Sequence, residues 1–195
     1  YLDQNPKLDE TLSILEQVRK GLGKKDSDVL EYEAKSILTK LGFKDMNQLI
    51  KNLSGGQRRR VALCCSLLYE CDLLILDEPT NHLDSEMVAW LENYLIRYKS
   101  AILMITHDLG VVANMADEVV VMYRGEIMES GSVEDIFRHA EHPYLKSLMA
   151  AVPRFHMAEG ERLVPIRSIE SQSSHLLKPG PEDLKTESAI TIKPI

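Results

Sequence analysis

Apolar positions in the first fifty residues recur at helical spacing: Leu8, Leu12, Leu15 and Val18, then Leu30, Ala34, Ile37, Leu38 and Leu41. A mostly polar stretch, residues 21–28, separates the two stripes, so the pattern predicts two or three amphipathic helices with their stripes in a core. A further helix is predicted to open at Ser54, a good N-cap, and to run to about Tyr69 with Val61, Leu63, Leu67 and Leu68 on its buried side. The period then changes. Residues 72–78 form a continuous apolar run bounded by charges, which predicts a strand buried on both faces, the pattern of a parallel sheet. Residues 85–99, with Val88, Leu91 and Leu95 on one face, predict a crossover helix leading to a second parallel strand at 101–105. Trp90, Tyr94 and Tyr98 flank that face and are read as core or edge residues, not as a platform for stacking bases.

Past residue 108 the pattern gives a short helix, a buried strand ending in a Tyr-Arg-Gly-Glu hairpin turn, a return strand, and a capped helix over 132–139. Residues 156–195 are polar, carry four prolines and sustain no period, so they read as a largely disordered tail. The resulting fold class is α/β, a truncated parallel sheet with a helical subdomain. Its divisions are 1–52, 53–155 and 156–195.

At 195 residues the chain can bury one core, or one and a fraction. A net charge of −7 argues against binding nucleic acid through bulk electrostatics. Cys64, Cys65 and Cys71 lie in or just after one apolar helix without metal-ligand spacing to histidines, and read as small core residues of a reducing compartment. His139, His142, His156 and His175 show no metal-ligand pattern either. No apolar run approaches the ~20 residues that span a bilayer, so a soluble chain is expected. It opens on Tyr1 with neither an initiator Met nor a signal sequence, consistent with a cytoplasmic place, or a peripheral one at the inner membrane face.

Candidate chemistry concentrates in residues 53–84, LSGGQRRRVALCCSLLYECDLLILDEPTNHLD. Gly55 and Gly56 let a backbone approach an anion closely, and the unpaired N–H groups and dipole of the helix behind Ser54 favour a phosphate. The bland alternative is an ordinary helix start. Arg58, Arg59 and Arg60 read as a solvated face. Asp77 and Glu78 fall at the carboxyl end of the predicted strand, where parallel sheets bind ligands. Asp77 is suited to hold Mg²⁺ directly or through water, and Glu78 to polarise an attacking water; the bland alternative is an acidic pair capping the next helix. His107 likewise follows an apolar strand.

LSGGQ, LLILDEP, NHLD and then ITHD at 105–108 stand in the order and spacing of the signature motif, Walker B, D-loop and switch histidine, and the chain resembles an ATP-binding cassette (ABC) ATPase. The resemblance implies a P-loop NTPase-like cassette with ATP and Mg²⁺ as cofactors. It implies that Ser54, Gly55, Gly56 and Gln57 contact the γ-phosphate of an ATP held by a second cassette in a head-to-tail dimer. By the same resemblance Asp77 serves the Mg²⁺, Glu78 is the catalytic base, Asp84 lies at the dimer contact and His107 touches the γ-phosphate. Gln4 sits where the family's Q-loop glutamine senses Mg²⁺ and phosphate. The helical subdomain would face the driven partner, either membrane permease subunits or the ribosome.

A P-loop requires G-x-x-x-x-G-K-[ST], and the 195 residues contain none. Gly23-Lys24 is followed by Lys25 and reads as a solvated turn. The chain therefore resembles the second part of a cassette, with the P-loop expected upstream. Residues 1–108 resemble the ABC-F branch, ribosome-acting proteins, through PTNHLD and the WLENYL helix; residues 107–155 resemble ATP-binding subunits of oligopeptide and dipeptide importers. The two resemblances meet near Thr106 to Asp108, which suggests a splice of two relatives' halves. Three expectations follow: an importer ATPase part, a ribosome-associated factor, or a non-catalytic chain offering a signature surface.

Overall fold

The computed structural model describes residues 1–2, 6–22, 27–151 and 188–193. The chain divides into two compact units, one holding residues 1–106 and the other beginning at His107.

In the first unit the lead-in to the helices is fixed by short polar side chains. Asp9 accepts hydrogen bonds from the Thr11 amide at 3.1 Å and the Thr11 hydroxyl at 2.6 Å. Ser13 and Glu16 then form a capping box: the Ser13 amide donates to Glu16 at 2.8 Å and the Glu16 amide to Ser13 Oγ at 3.3 Å. Helix α1 (Ile14–Leu22) therefore starts after Ser13. Leu8 and Leu12, read from their spacing as part of the helical stripe, belong to the lead-in, because the capping residues stop the helix from extending back to them. Helix α2 (Ser27–Lys40) ends at Gly42, whose φ of 82° lets the chain turn while Phe43 N–H donates back to Leu38 O at 3.0 Å. Ile14, Val18, Ala34, Ile37, Leu38, Leu41 and Ile50 are buried, and α1 and α2 both pack on α3 (Gly55–Leu68).

Strands β1 (Leu73–Asp77) and β2 (Ala101–Thr106) pair in parallel, in register from Leu73↔Ala101 to Asp77↔Ile105. Leu2 bridges Leu76 in parallel as well, with its N–H donating to Ile75 O at 2.9 Å. Helix α4 (Ser85–Ile96) is the crossover between β1 and β2, capped by Asp84. Burial in β1 alternates: Leu74 and Leu76 are enclosed, while Leu73 is exposed. The expectation of burial on both faces is corrected for that strand; its continuous apolar run conceals a two-residue period that only the packing reveals.

The second unit runs through α5 (Leu109–Met115), β3 (Glu118–Tyr123), β4 (Glu126–Ser132), α6 (Val133–Arg138) and α7 (Pro143–Ala151). Arg124 and Gly125 take positive φ, 51° and 81°, at the tip of the β3–β4 hairpin, the left-handed pair that matches the twist of antiparallel strands. Ser132 caps α6 by accepting from Asp135 N–H at 3.1 Å. Val112, Val119, Val121, Ile136, Tyr144 and Leu145 form this unit's core. A strand, β5 (Ser188–Lys193), lies in the stretch read as a disordered tail and corrects that reading for its six residues. The β-branched run Ile190, Thr191 and Ile192 is the local reason. Among the described residues, no helix is long and apolar enough to cross a membrane.

Candidate functional site

The site in the first unit is built where the start of α3 meets the carboxyl end of β1. Ser54, extended at ψ 163°, accepts from the Gln57 amide at 3.3 Å, and Gln57 Oε1 accepts from the Ser54 amide at 2.9 Å. This capping box uses the Ser54 oxygen and the Gln57 carbonyl oxygen, leaving the Ser54 O–H and the Gln57 amide nitrogen as donors. The first-turn N–H groups of Gly55 and Gly56 have no acceptor within the helix. A Cβ at Gly55 would meet nothing within 4 Å, whereas one at Gly56 would lie 3.3 Å from His82 Cβ. The two glycines thus differ: one faces open space, the other is packed against by His82 of the NHLD segment. His82 itself has a φ of 67°.

Three arginines follow, and the expectation of a solvated face is corrected for Arg59, which is buried, while Arg58 and Arg60 are half-buried. Arg58 pairs with Glu10 at 2.6 Å and donates to Leu53 O at 3.2 Å. Arg60 donates to Leu41 O at 2.9 Å and stacks over the Phe43 ring at 5.4 Å. Arg59 is buried, 8 % exposed, and its Nη2 donates to Asp77 O at 2.7 Å and Glu78 O at 3.0 Å. The missed signal was the helix behind them. Val61, Ala62, Leu63, Cys64, Leu67 and Leu68 are buried almost all round α3, so a helix so enclosed leaves its arginines little solvent.

Glu78 is 8 % exposed and has a φ of 48°; its N–H donates to Ile105 O at 2.8 Å, which continues the β1–β2 ladder by one rung. Pro79 disfavours the right-handed helical region for the residue before it, which helps to push Glu78 into this rarer conformation. Asp77, half-buried, ends β1. Among the described residues no cluster of three or more His, Cys, Asp or Glu could hold a metal ion by itself. One carboxylate at a strand end fits Mg²⁺, which keeps waters and substrate phosphates in its shell and takes one or two protein carboxylates. Asp84 accepts from Met87 N–H at 2.9 Å as the N-cap of α4. His107 opens the second unit, one residue beyond the end of β2. Gln4 and Gly23-Lys24 lie outside the described residues.

The structure therefore brings together the signature-like helix start, Asp77, Glu78 and the segment through His82. Arg59 and His82 are the members that sequence reasoning did not assign to the site.

The family model described as ABC transporter matches residues 1–81. The chain is 37% identical over 177 residues to the dipeptide transport ATP-binding protein DppD of Bacillus subtilis, covering 85% of this chain and 52% of that protein. It is 44% identical over 139 residues to the oligopeptide transport ATP-binding protein OppD of Haemophilus influenzae, covering 69% of this chain and 43% of that one. The chain thus spans about half the length of these relatives. A solved structure of an ATP-binding subunit of an ABC transporter superposes with a TM-score of 0.63 at 25% identity, over 71% of this chain and 60% of that one. An ATP-binding cassette solved as a dimer with ADP and Pi gives 0.55 at 24% identity, a likeness of fold alone. The match to the dipeptide protein, 177 residues long, spans most of this chain, so the reading of a splice near Thr106 to Asp108 finds no support, and neither does the ribosome-associated alternative. Residues 1–81 thus carry the ABC transporter family match, and the chain is homologous to the ATP-binding proteins of oligopeptide and dipeptide transport.

Proposed function

We propose that the chain is part of an ATPase that binds and hydrolyses ATP to drive a peptide-type ABC importer through membrane permease subunits. The observation that carries the proposal is the meeting of the α3 start with the Asp77–Glu78 turn through Arg59, in a chain homologous to peptide importer ATP-binding proteins. In this reading the Ser54 hydroxyl, the Gly55 and Gly56 N–H groups and the Gln57 amide donate to the γ-phosphate of an ATP held mainly by a second cassette. By the family resemblance Gln4 senses Mg²⁺ and a γ-phosphate, His107 touches a γ-phosphate, and Asp84 lies at the contact between cassettes.

Glu78 is the general base. Its carboxylate orients a water for in-line attack on the γ-phosphorus and takes the proton that this water loses. The enclosure of Glu78 limits competing solvent, and its pinned main chain limits the carboxylate's search for the productive position. Asp77 would hold Mg²⁺, which when bound neutralises charge on the phosphate oxygens.

The test joins a P-loop segment upstream of the chain and titrates Mg-ATP at millimolar nucleotide by calorimetry into that protein and its Glu78→Gln variant, with phosphate release followed in parallel, and then into the chain alone. Saturable binding by both, and turnover lowered by roughly two to four orders of magnitude in E78Q, is expected for loss of a general base. Equal turnover in both proteins removes Glu78 from that role. No heat beyond dilution with the chain alone would make it the donor of a signature surface to a site whose phosphate cradle is carried elsewhere.

A further inference from the structure

We propose that Arg59 is a positioning residue for the Asp77–Glu78 turn, tying the geometry of the catalytic carboxylate to the signature helix. The inference rests on the reading of Glu78 as the base, and adds to it a residue that acts through the backbone.

The geometry begins with a peptide-chain argument. In an extended strand successive carbonyls point to opposite sides, so one donor group cannot serve both. The carbonyls of Asp77 and Glu78 flank the Glu78 φ and ψ, and they converge on the single nitrogen Nη2 of Arg59, at 2.7 Å and 3.0 Å. Such convergence requires Glu78 to leave the extended region, and its φ of 48° is that departure. A non-glycine residue holds a left-handed conformation only when its surroundings over-determine it. Pro79 disfavours the right-handed alternative from one side, and the guanidinium rewards the left-handed one from the other. The two N–H bonds of Nη2 are fully used, one on each carbonyl.

The donor is held rigidly in turn. Arg59 lies two residues beyond the capping box, on a helix whose sides are buried by Val61, Leu63, Cys64 and Leu67. Its Nε is enclosed with no hydrogen-bond partner among the described residues, and the hydrogen bonds of the guanidinium go to the two turn carbonyls. Movement of the α3 start, where Ser54 to Gln57 lie, is therefore conveyed to the main chain that carries the Glu78 carboxylate. Lysine, a point donor without the guanidinium fork, could reach the carbonyls but not hold both in a fixed plane.

The experiment compares the parent chain with Arg59→Met and Arg59→Lys by amide hydrogen exchange. The Glu78 N–H, bonded to Ile105 O, and the Asn81 N–H, directed at Glu78 O at 3.3 Å, report the turn. In R59M these two amides exchange roughly tenfold or more faster while amides of α1 change less than twofold; R59K recovers part of the protection. Unchanged exchange at Glu78 and Asn81, or one uniform acceleration across the unit, overturns the proposal, the second because it describes an ordinary core arginine. Should R59M not fold, the graded comparison of R59K with the parent still decides. In preparations that turn over Mg-ATP, R59M is expected to lower kcat about tenfold or more with KM changed less than twofold. Faster exchange at the turn with kcat unchanged would leave Arg59 as the positioning residue and remove Glu78 as the base, so the two readings fail separately.

Discussion

Gly55 and Gly56 stand side by side in the first turn of α3 and answer to different constraints. Gly55 has open space where a Cβ would sit, so Gly55→Ala should cost nothing sterically and gain helix propensity, stabilising the chain by up to about 1 kcal/mol. A Cβ on Gly56 would press on His82 at 3.3 Å, so Gly56→Ala should forfeit that gain. Urea denaturation midpoints should place G55A above G56A, and equal midpoints would mean that His82 yields freely. If phosphate approaches the open side of Gly55, G55A should weaken nucleotide engagement while raising stability, a combination that a purely structural glycine cannot give. Cys65 makes a second point at this scale. Desolvation pushes its thiol up to about 12, and burial raises that of Cys64 as well. Both should stay protonated at pH 8 and react with iodoacetamide far more slowly than in denaturant, measured by mass spectrometry of the alkylated peptides.

Helix starts dominate the element scale. Every well-defined helix of the site region begins on a side-chain oxygen: Ser13 before α1, Ser54 before α3 and Asp84 before α4. Ser54→Ala removes the hydroxyl half of a capping box while keeping the backbone N–H that donates to Gln57, and should cost about 1 kcal/mol, read from thermal unfolding. Before α1, the Asp9 carboxyl is held down to about 2, chiefly by the Thr11 hydroxyl and then by Lys20 at 2.9 Å. Its unfolded value is ~3.9, so the folded state binds its proton less readily. That contribution is complete above about pH 4 and is lost as pH falls toward 2. The stability advantage of the parent over Asp9→Asn should therefore shrink between pH 4 and pH 2, and an advantage that grew on acidification would contradict the assignment. Periodicity placed these helices, yet it ran α1 back through Leu8 and Leu12, because a stripe of leucines carries no mark of where a cap intervenes.

At the scale of the molecule the parallel β1–β2 pair, its α4 crossover and the helices packed on α3 account for the first unit, while a hairpin with α5, α6 and α7 accounts for the second. Relatives in peptide transport match across most of the chain, so a splice of two relatives' halves is not needed to account for it. Leu73, Ile96 and Ile127 are exposed apolar side chains.

What the amino-acid order determined by itself was whatever depends on neighbours in sequence. The Ser54–Gln57 box, the strand ending in Asp77 and Glu78, the Arg124–Gly125 turn and the family's motif order are all written within a few residues, because caps, strand periods and turns are local physics. Tertiary structure decided what depends on residues far apart. Three adjacent arginines look alike in sequence, yet one pairs with Glu10, one stacks on Phe43 and one is buried under the Asp77 and Glu78 carbonyls. Likewise His82 meets Gly56 only after the chain has passed through α3 and β1 and returned. A charged side chain goes where its long-range partners are, and the energy of burying it is settled by contacts that no local pattern records.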